Sequence, residues 1–415
     1  MMKMLLLVTL SMLSLASIVA AETCVECHTK ITPNIVTDWQ LSKHSTNDIG
    51  CDGCHGDGHT SAADVDQVTL PTYETCGTCH ATQSEQFLKG KHAHAWTALK
   101  AMPTTHAAPV ALIDGMKGCG GCHKLGIKSE AEMKNLKTNN PGFGNASCDA
   151  CHTRHTFSVI EAKQPQACQT CHMGFDHPQW EMYSSSKHGV RYLLKQNGVL
   201  AESASAPTCQ DCHMQEGDHE VRTAWGFLAV RLPLPEDPQW KADQITILQA
   251  LGVLDLQGNP TGRLDAVKAA DVARLTQEDF DRERNKMLGV CSKCHSENFA
   301  KSELAKSDDM IREADHLLAA AIREIAALYQ DGILAKPAGY ASAFPDLLTF
   351  HDAPTSIEQK LFAMHLEHRM RAFQGAFHNN PDYSLWYGWS EMVRDLTEIR
   401  EMAADMRAKH AGKKG

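Results

Sequence analysis

The pentapeptide CGGCH at residues 119–123, inside GMKGCGGCHKLG (115–126), is the fourth of eight copies of Cys-x-x-Cys-His in a chain of 415 residues. The other copies are CVECH (24–28), CDGCH (51–55), CGTCH (76–80), CDACH (148–152), CQTCH (168–172), CQDCH (209–213) and CSKCH (291–295). The thiol pairs are Cys24 and Cys27, Cys51 and Cys54, Cys76 and Cys79, Cys119 and Cys122, Cys148 and Cys151, Cys168 and Cys171, Cys209 and Cys212, and Cys291 and Cys294. Each pair is followed at once by a histidine: His28, His55, His80, His123, His152, His172, His213 and His295. The motif uses all 16 cysteines and leaves none over.

Sixteen cysteines in an exported chain would ordinarily suggest disulfides, but the spacing points elsewhere. Two thiols separated by two residues add across the two vinyl groups of one porphyrin, and the next imidazole then lies under the iron as proximal ligand. Zinc ribbons also use Cys-x-x-Cys, but zinc gives no reason for a histidine after every second cysteine. The motifs therefore predict eight covalently attached heme c groups, each with its iron. Only 6% of the chain is aromatic, which is lean for a protein packed by its own side chains, and the macrocycles are expected to fill the core.

The chain opens MMKMLLLVTLSMLSLASIVAAETC. Lys3, the apolar run from Met4 to Val19, and small residues at Val19 and Ala21 read as a secretory signal peptide spanning 1–21. A periplasmic protein is expected, soluble after cleavage. The formal net charge is −10, which gives no reason to expect a nucleic-acid partner.

An iron used for electron transfer takes two protein ligands, whereas one that binds substrate keeps a position open. Fifteen of the 23 histidines lie outside the motifs. His44, His59, His92, His106, His155, His177 and His188 stand on short polar stretches near a motif and are expected as distal ligands, with His94 as an alternative to His92. Seven distal ligands for eight irons leave one five-coordinate. His351, His365, His368, His378 and His410 are expected at the surface. His219 follows Asp218 just after the seventh motif, giving a carboxylate and an imidazole side by side. Such a pair suits proton-coupled chemistry on a small oxide, although His219 also reads as one more axial ligand.

The fold class expected is mainly α, a multiheme cytochrome c with a heme-dense N-terminal part and a C-terminal helical bundle. Residues 22–230 form the heme-dense domain with motifs 1 to 7. Residues 231–290 are a helical insertion that opens on the proline-punctuated RLPLPEDPQW, and 291–415 carry motif 8 and the bundle. Ser307 with Asp308 and Asp309 reads as a helix start, followed by an apolar face from Ile311 to Leu328 and a stop at Gly332. Ser356 reads as the cap of a second helix, and a third runs from about Asp382 to Ala408. Its opening, PDYSLWYGW, places Tyr383 and Tyr387 where they could reach a heme pocket.

Eight motifs, a long insertion before the last and a helical C-terminal bundle together resemble the octaheme hydroxylamine oxidoreductase family. The strings CDACHTRHTFS (148–158), CHMGFDHPQWEMY (171–183), SSKHGVRY (185–192) and CHMQEGDHEVRTAWGF (212–227) carry the likeness. The resemblance implies a mainly helical homotrimer whose fourth heme, here on Cys119, Cys122 and His123, is the five-coordinate catalytic one. It also implies an Asp-His pair over that heme, for which Asp218 and His219 are the match chosen from sequence. Relatives that replace a proximal histidine with lysine, or spread one cysteine pair far apart, have patterns absent from this chain. The implied activity is oxidoreduction of a small nitrogen oxide: nitrite or hydroxylamine reduced to ammonium, or hydroxylamine oxidised. The redox partner implied is a cytochrome or a quinone-linked donor or acceptor. In the oxidative members a tyrosine of the adjacent subunit is joined to the catalytic heme. Neither Tyr383 nor Tyr387 can be aligned with it, and the compact C-terminal part favours the reductive direction. A non-catalytic electron-transfer cytochrome is the alternative reading.

Overall fold

The computed structural model describes residues 24–101, 118–139, 147–338, 340, 342–349 and 352–414. They are mainly helical, and strand-like pairing among them is confined to two isolated bridges, Arg231 with Arg274 and Leu254 with Pro260. The chain divides into two compact units that do not follow the boundaries expected from sequence. Unit 1 takes the described residues up to Trp96, then those of Cys122–Cys168, and Asp218–Val221. Unit 2 takes the described residues of Thr97–Gly121, Gln169–Gly217 and Arg222–Gly415, so motif 7 and all of motif 6 but Cys168 belong with the bundle.

Unit 1 is built from short helices, among them α1 (Pro33–Leu41), α2 (Ala81–Lys89) and α3 (Glu130–Asn139). The motifs punctuate them, because each must present two thiols and an imidazole to one porphyrin within a single turn. Its described residues bury few apolar side chains, namely Val36, Phe87, Ala93, Trp96 and Leu136. That is too little hydrophobic surface to order a chain of this length by itself.

Unit 2 holds a side-chain core of the ordinary kind. Helix α4 (Pro238–Ala250) starts with Asp237 capping the Trp240 amide at 2.7 Å and Pro238 in its first turn, and it buries Ile247 and Leu248. Helix α5 (Glu297–Gln330) follows motif 8 directly. Its N-cap is Ser296, which accepts from the Phe299 amide at 3.3 Å. The start expected at Ser307 is therefore corrected: Ser307 lies mid-helix, buried, with its hydroxyl bonded back to the Glu303 carbonyl. The apolar face is as the spacing predicts, with Ile311, Ala314, Leu318, Ala321, Ile322, Ile325 and Leu328 buried. The helix ends where Gly332 adopts φ +64°, a left-handed conformation that glycine takes without steric cost.

Helix α6 (Ser356–Phe362) begins one residue after its N-cap, Thr355, rather than at a Ser356 cap. It runs on through a π-helical stretch, Ala363–Arg369, into α7 (Met370–Phe377). A second π-helical stretch, Asp382–Trp389, leads into α8 (Ser390–Lys414). The two arms pack closely where Gly388 faces Ala372, since a Cβ on Gly388 would stand 2.5 Å from the Ala372 amide nitrogen.

At the centre of the bundle Arg369, 1% exposed, meets Asp315, 0% exposed. Its guanidinium donates to Asp315 Oδ1 from Nε at 2.9 Å and from Nη2 at 2.7 Å, and to the Leu228 and Ala229 carbonyls at 2.6 and 2.9 Å. Trp240 and Gln244 satisfy the other carboxylate oxygen. His365, expected at the surface, is wholly buried beside Arg369, and burial pushes its pKa down to about 3. His368, also expected there, is mostly covered and hydrogen-bonds Asp395 at 2.5 Å.

Arg369→Met leaves Asp315 charged and unpaired in the core. It should cost about 3–5 kcal/mol, read as a lower denaturant midpoint for loss of helical circular dichroism. An unchanged midpoint would show that the pair is not what fixes the bundle.

Candidate functional site

Four of the motif histidines carry an orienting contact on Nδ1. Within unit 1, His28 Nδ1 lies 2.8 Å from Thr32 Oγ1, His55 Nδ1 3.1 Å from the Thr69 carbonyl and His123 Nδ1 2.9 Å from the Ala95 carbonyl. In unit 2, His172 Nδ1 lies 3.3 Å from Gln179 Oε1. An imidazole held through Nδ1 presents Nε2 to a metal in a fixed orientation.

Six motif histidines face a second histidine from a remote part of the sequence. In unit 1 the pairs are His28 with His59 at 6.3 Å between ring centroids, His55 with His155 at 6.2 Å, His80 with His44 at 6.2 Å and His152 with His219 at 6.3 Å. In unit 2 they are His213 with His378 at 6.5 Å and His295 with His188 at 6.2 Å. Two imidazole nitrogens each about 2 Å from a metal, with ring centres roughly 1 Å beyond, set centroids about 6 Å apart. The residues present thus fit an iron bridged by two histidines. Burial, and then the facing histidine, lowers the pKa of His44, His152, His155 and His188. They are kept in the neutral form that ligates metal.

A seventh pair, His172 with His177, has centroids 6.1 Å apart but a different character. The two are five residues apart, and the turn between them closes on itself where the Trp180 amide donates to the His172 carbonyl at 2.9 Å. Five residues reach at most about 17 Å when fully extended, and a closed turn of that length cannot pass around the edge of a porphyrin lying between the rings. His177 is instead oriented by its neighbour, with Nδ1 2.9 Å from Asp176 Oδ1, and stacks on Phe227 at 4.8 Å.

Placement of His219 and His378 departs from the sequence expectations. His219, read with Asp218 as a pair over the fourth heme, lies against the proximal histidine of motif 5 at an interplanar angle of 21°. Its backbone amide is bonded to Gln86 on α2 at 3.1 Å. Its role beside the fourth motif is corrected to a place beside the fifth. His378, expected at the surface, ends α7 with Nδ1 on the Gln374 carbonyl at 2.8 Å and turns inward to His213. No signal in the sequence marks His378 as a ligand, because its partner lies in a segment far upstream.

The fourth motif is braced by the segment that carries His92 and His94. Besides the bond from His123 to Ala95, the Ile127 amide donates to the Ala93 carbonyl at 2.9 Å. Trp96 Nε1 donates to Glu132 Oε1 at 2.8 Å. Gly126 sits so close to the Trp96 backbone that no Cβ fits there. Burial lowers the pKa of His92. His106 and His351 lie outside the described residues.

Neighbouring motifs also meet through their cysteines. Cys24 lies beside Cys51, and Cys76 beside Cys148. Attachment points of motifs 1 and 2, and of 3 and 5, are therefore adjacent. Among the described residues no helix is long and apolar enough to cross a membrane.

The family described as "Seven times multi-haem cytochrome CxxCH" matches residues 47–231 and 265–339, more than half of the chain. A cytochrome c554 and c-prime family matches 9–56. A Kuenenia stuttgartiensis protein described as a probable nitrite reductase-hydroxylamine oxidoreductase fusion is 26% identical over 94% of this chain and 52% of its own length. A C-type polyheme cytochrome, OmcC, of Geobacter sulfurreducens is 23% identical over 36% of this chain and 20% of its own length. The chain thus spans about half of the first of these relatives and a fifth of the second. Among solved structures, the Kuenenia stuttgartiensis reducing HAO-like protein complex Kustc0457/Kustc0458 superposes with a TM-score of 0.70 at 25% identity. That match covers 96% of this chain and 88% of the other. A hypothetical multiheme protein shares the fold, with a TM-score of 0.69 at 20% identity over 94% and 96% of the two chains. With its repeated attachment motif, its paired histidines and these likenesses, the chain belongs to the multi-haem CxxCH cytochromes that carry covalently bound c-type heme and are related to hydroxylamine oxidoreductase-like proteins.

Proposed function

We propose that the chain is an exported octaheme oxidoreductase that acts on a small nitrogen oxide at the heme of motif 4. All eight motifs carry heme c, and the six remote histidine pairs are the axial ligands of hemes 1, 2, 3, 5, 7 and 8. The sixth heme, on His172, takes a further histidine as its distal ligand. The heme on His123 keeps its distal face for substrate, as the family resemblance implies. Nitrite reduction to ammonium is the favoured direction, supported by a solved relative described as a reducing complex. A homotrimer fed by a cytochrome or quinone-linked partner in the periplasm completes the reading.

The observation that carries the assignment of roles is the pairing of His219 with His152. A histidine engaged as the second ligand of heme 5 has one ring nitrogen on that iron and no longer cycles between imidazole and imidazolium. The other Asp-His pair beside a heme motif, Asp176 and His177, has the build of an acid–base pair. The carboxylate fixes the imidazole through Nδ1, and Phe227 sets the plane of the ring. Heme, when bound, supplies the open iron and the electrons. In that role His177 would deliver protons through Nε2, and Asp176 would stabilise the imidazolium between deliveries. The Ala95 carbonyl holds His123 through its Nδ1, which orients the proximal imidazole and would strengthen it as a donor.

Two substitutions distinguish the Asp-His pairs. His177→Ala should lower ammonium production from nitrite, with a reduced dye as donor, by about 10²- to 10⁴-fold and leave the paramagnetic resonance of the hemes unchanged. His219→Ala should convert one low-spin heme to high spin. The reverse pattern would return the acid–base role to Asp218 and His219, and wild-type protein without nitrite or hydroxylamine activity in either direction would leave an electron carrier.

His378→Ala should likewise create one new high-spin ferric signal. A spectrum unaltered by that change would remove His378 from the ligand set.

A further inference from the structure

We propose that Asp64 lowers the reduction potential of the heme on motif 1 by hydrogen-bonding its distal ligand His59, so that an electron arriving at this heme passes downhill to the heme on motif 2. The inference rests on the reading of His28 and His59 as the axial pair of heme 1. His59 Nδ1 lies 3.0 Å from Asp64 Oδ1. The carboxylate is held by three further donors: the Ser61 amide at 2.8 Å, the Thr60 amide at 3.1 Å and Thr60 Oγ1 at 2.8 Å. An ionised carboxylate only accepts hydrogen bonds, and four donors converging on one carboxyl group stabilise that form.

The contrast with other heme-site histidines is chemical. Neutral oxygens hold the Nδ1 atoms of His28, His55, His123 and His378. A carboxylate on Nδ1–H draws the proton towards itself and makes the imidazole a stronger donor to iron, and its fixed negative charge opposes the electron that reduces the heme. Both effects favour the ferric state. Asp176 also meets a histidine, but it is 42% exposed and His177 is read as an acid–base group rather than a ligand. Asp64 thus makes heme 1 the more reducing member of the pair it forms with heme 2, whose attachment cysteine Cys51 lies beside Cys24. One electron enters heme 1 from an external donor, reducing its iron, and leaves for heme 2, which returns heme 1 to the ferric state.

The test is a redox titration of the full holoprotein followed by optical and paramagnetic resonance spectra. His59→Ala first identifies heme 1 as the one that becomes high-spin. Asp64→Asn should then shift the midpoint of that heme upward and leave the other hemes in place. Asp66→Asn, an exposed carboxylate bonded only to its neighbour Gln67, should move none. Asp64→Ser carries the same expectation as Asp64→Asn if the latter fails to retain its hemes, which an intact mass reports. A midpoint unmoved in both Asp64 variants, or a shift shared by all hemes, would overturn the inference. If His59→Ala leaves every heme low-spin, the axial reading itself fails and takes the inference with it.

Discussion

The constraint on which the rest depends is the facing of two imidazoles at a spacing that would admit an iron between them. Unit 1 buries only a handful of apolar side chains among its described residues, yet it brings His28 to His59, His55 to His155, His80 to His44 and His152 to His219 at the spacing of a shared metal. Porphyrins attached through thioethers supply the missing apolar volume, and each distal histidine ties a remote segment to a local one. The short helices between motifs are consequences of this arrangement. None of them has the length or amphipathic face to stand alone.

Unit 2 obeys ordinary packing rules and puts them to the same use. Its long helix α5 and the arms around it bury a continuous apolar core with one ion pair at its heart. That rigidity holds the end of α7 in place, where His378 turns towards His213 and α5 begins at the eighth motif. A bundle that in sequence looks like mere scaffold contributes a histidine that faces a motif histidine.

What the sequence made legible was local, and what it hid was remote. Five consecutive residues define an attachment site, so every motif and proximal histidine is readable without a structure. Periodicity likewise placed the apolar face of α5 and its stop at Gly332. Distal ligands obey no spacing rule, since the iron joins segments that meet only after folding. Proximity in sequence points to His44, His59, His155 and His188, which face motif histidines remote in sequence, and equally to His177, which lies five residues from its own motif histidine. It gave no hint of His378. The start of α5 was misplaced for a related reason: Ser307, Asp308 and Asp309 look like a cap, but Ser296 already occupies that position beside motif 8 and the helix runs through them.

The central claim is that paired histidines saturate all but one of the irons. Near-infrared magnetic circular dichroism of the oxidised protein, set against an intact mass that counts the attached hemes, measures this most directly. The account predicts eight hemes, seven with the charge-transfer band of bis-imidazole ligation and one high-spin ferric iron. Eight bis-imidazole hemes would contradict it, as would fewer than eight attached groups.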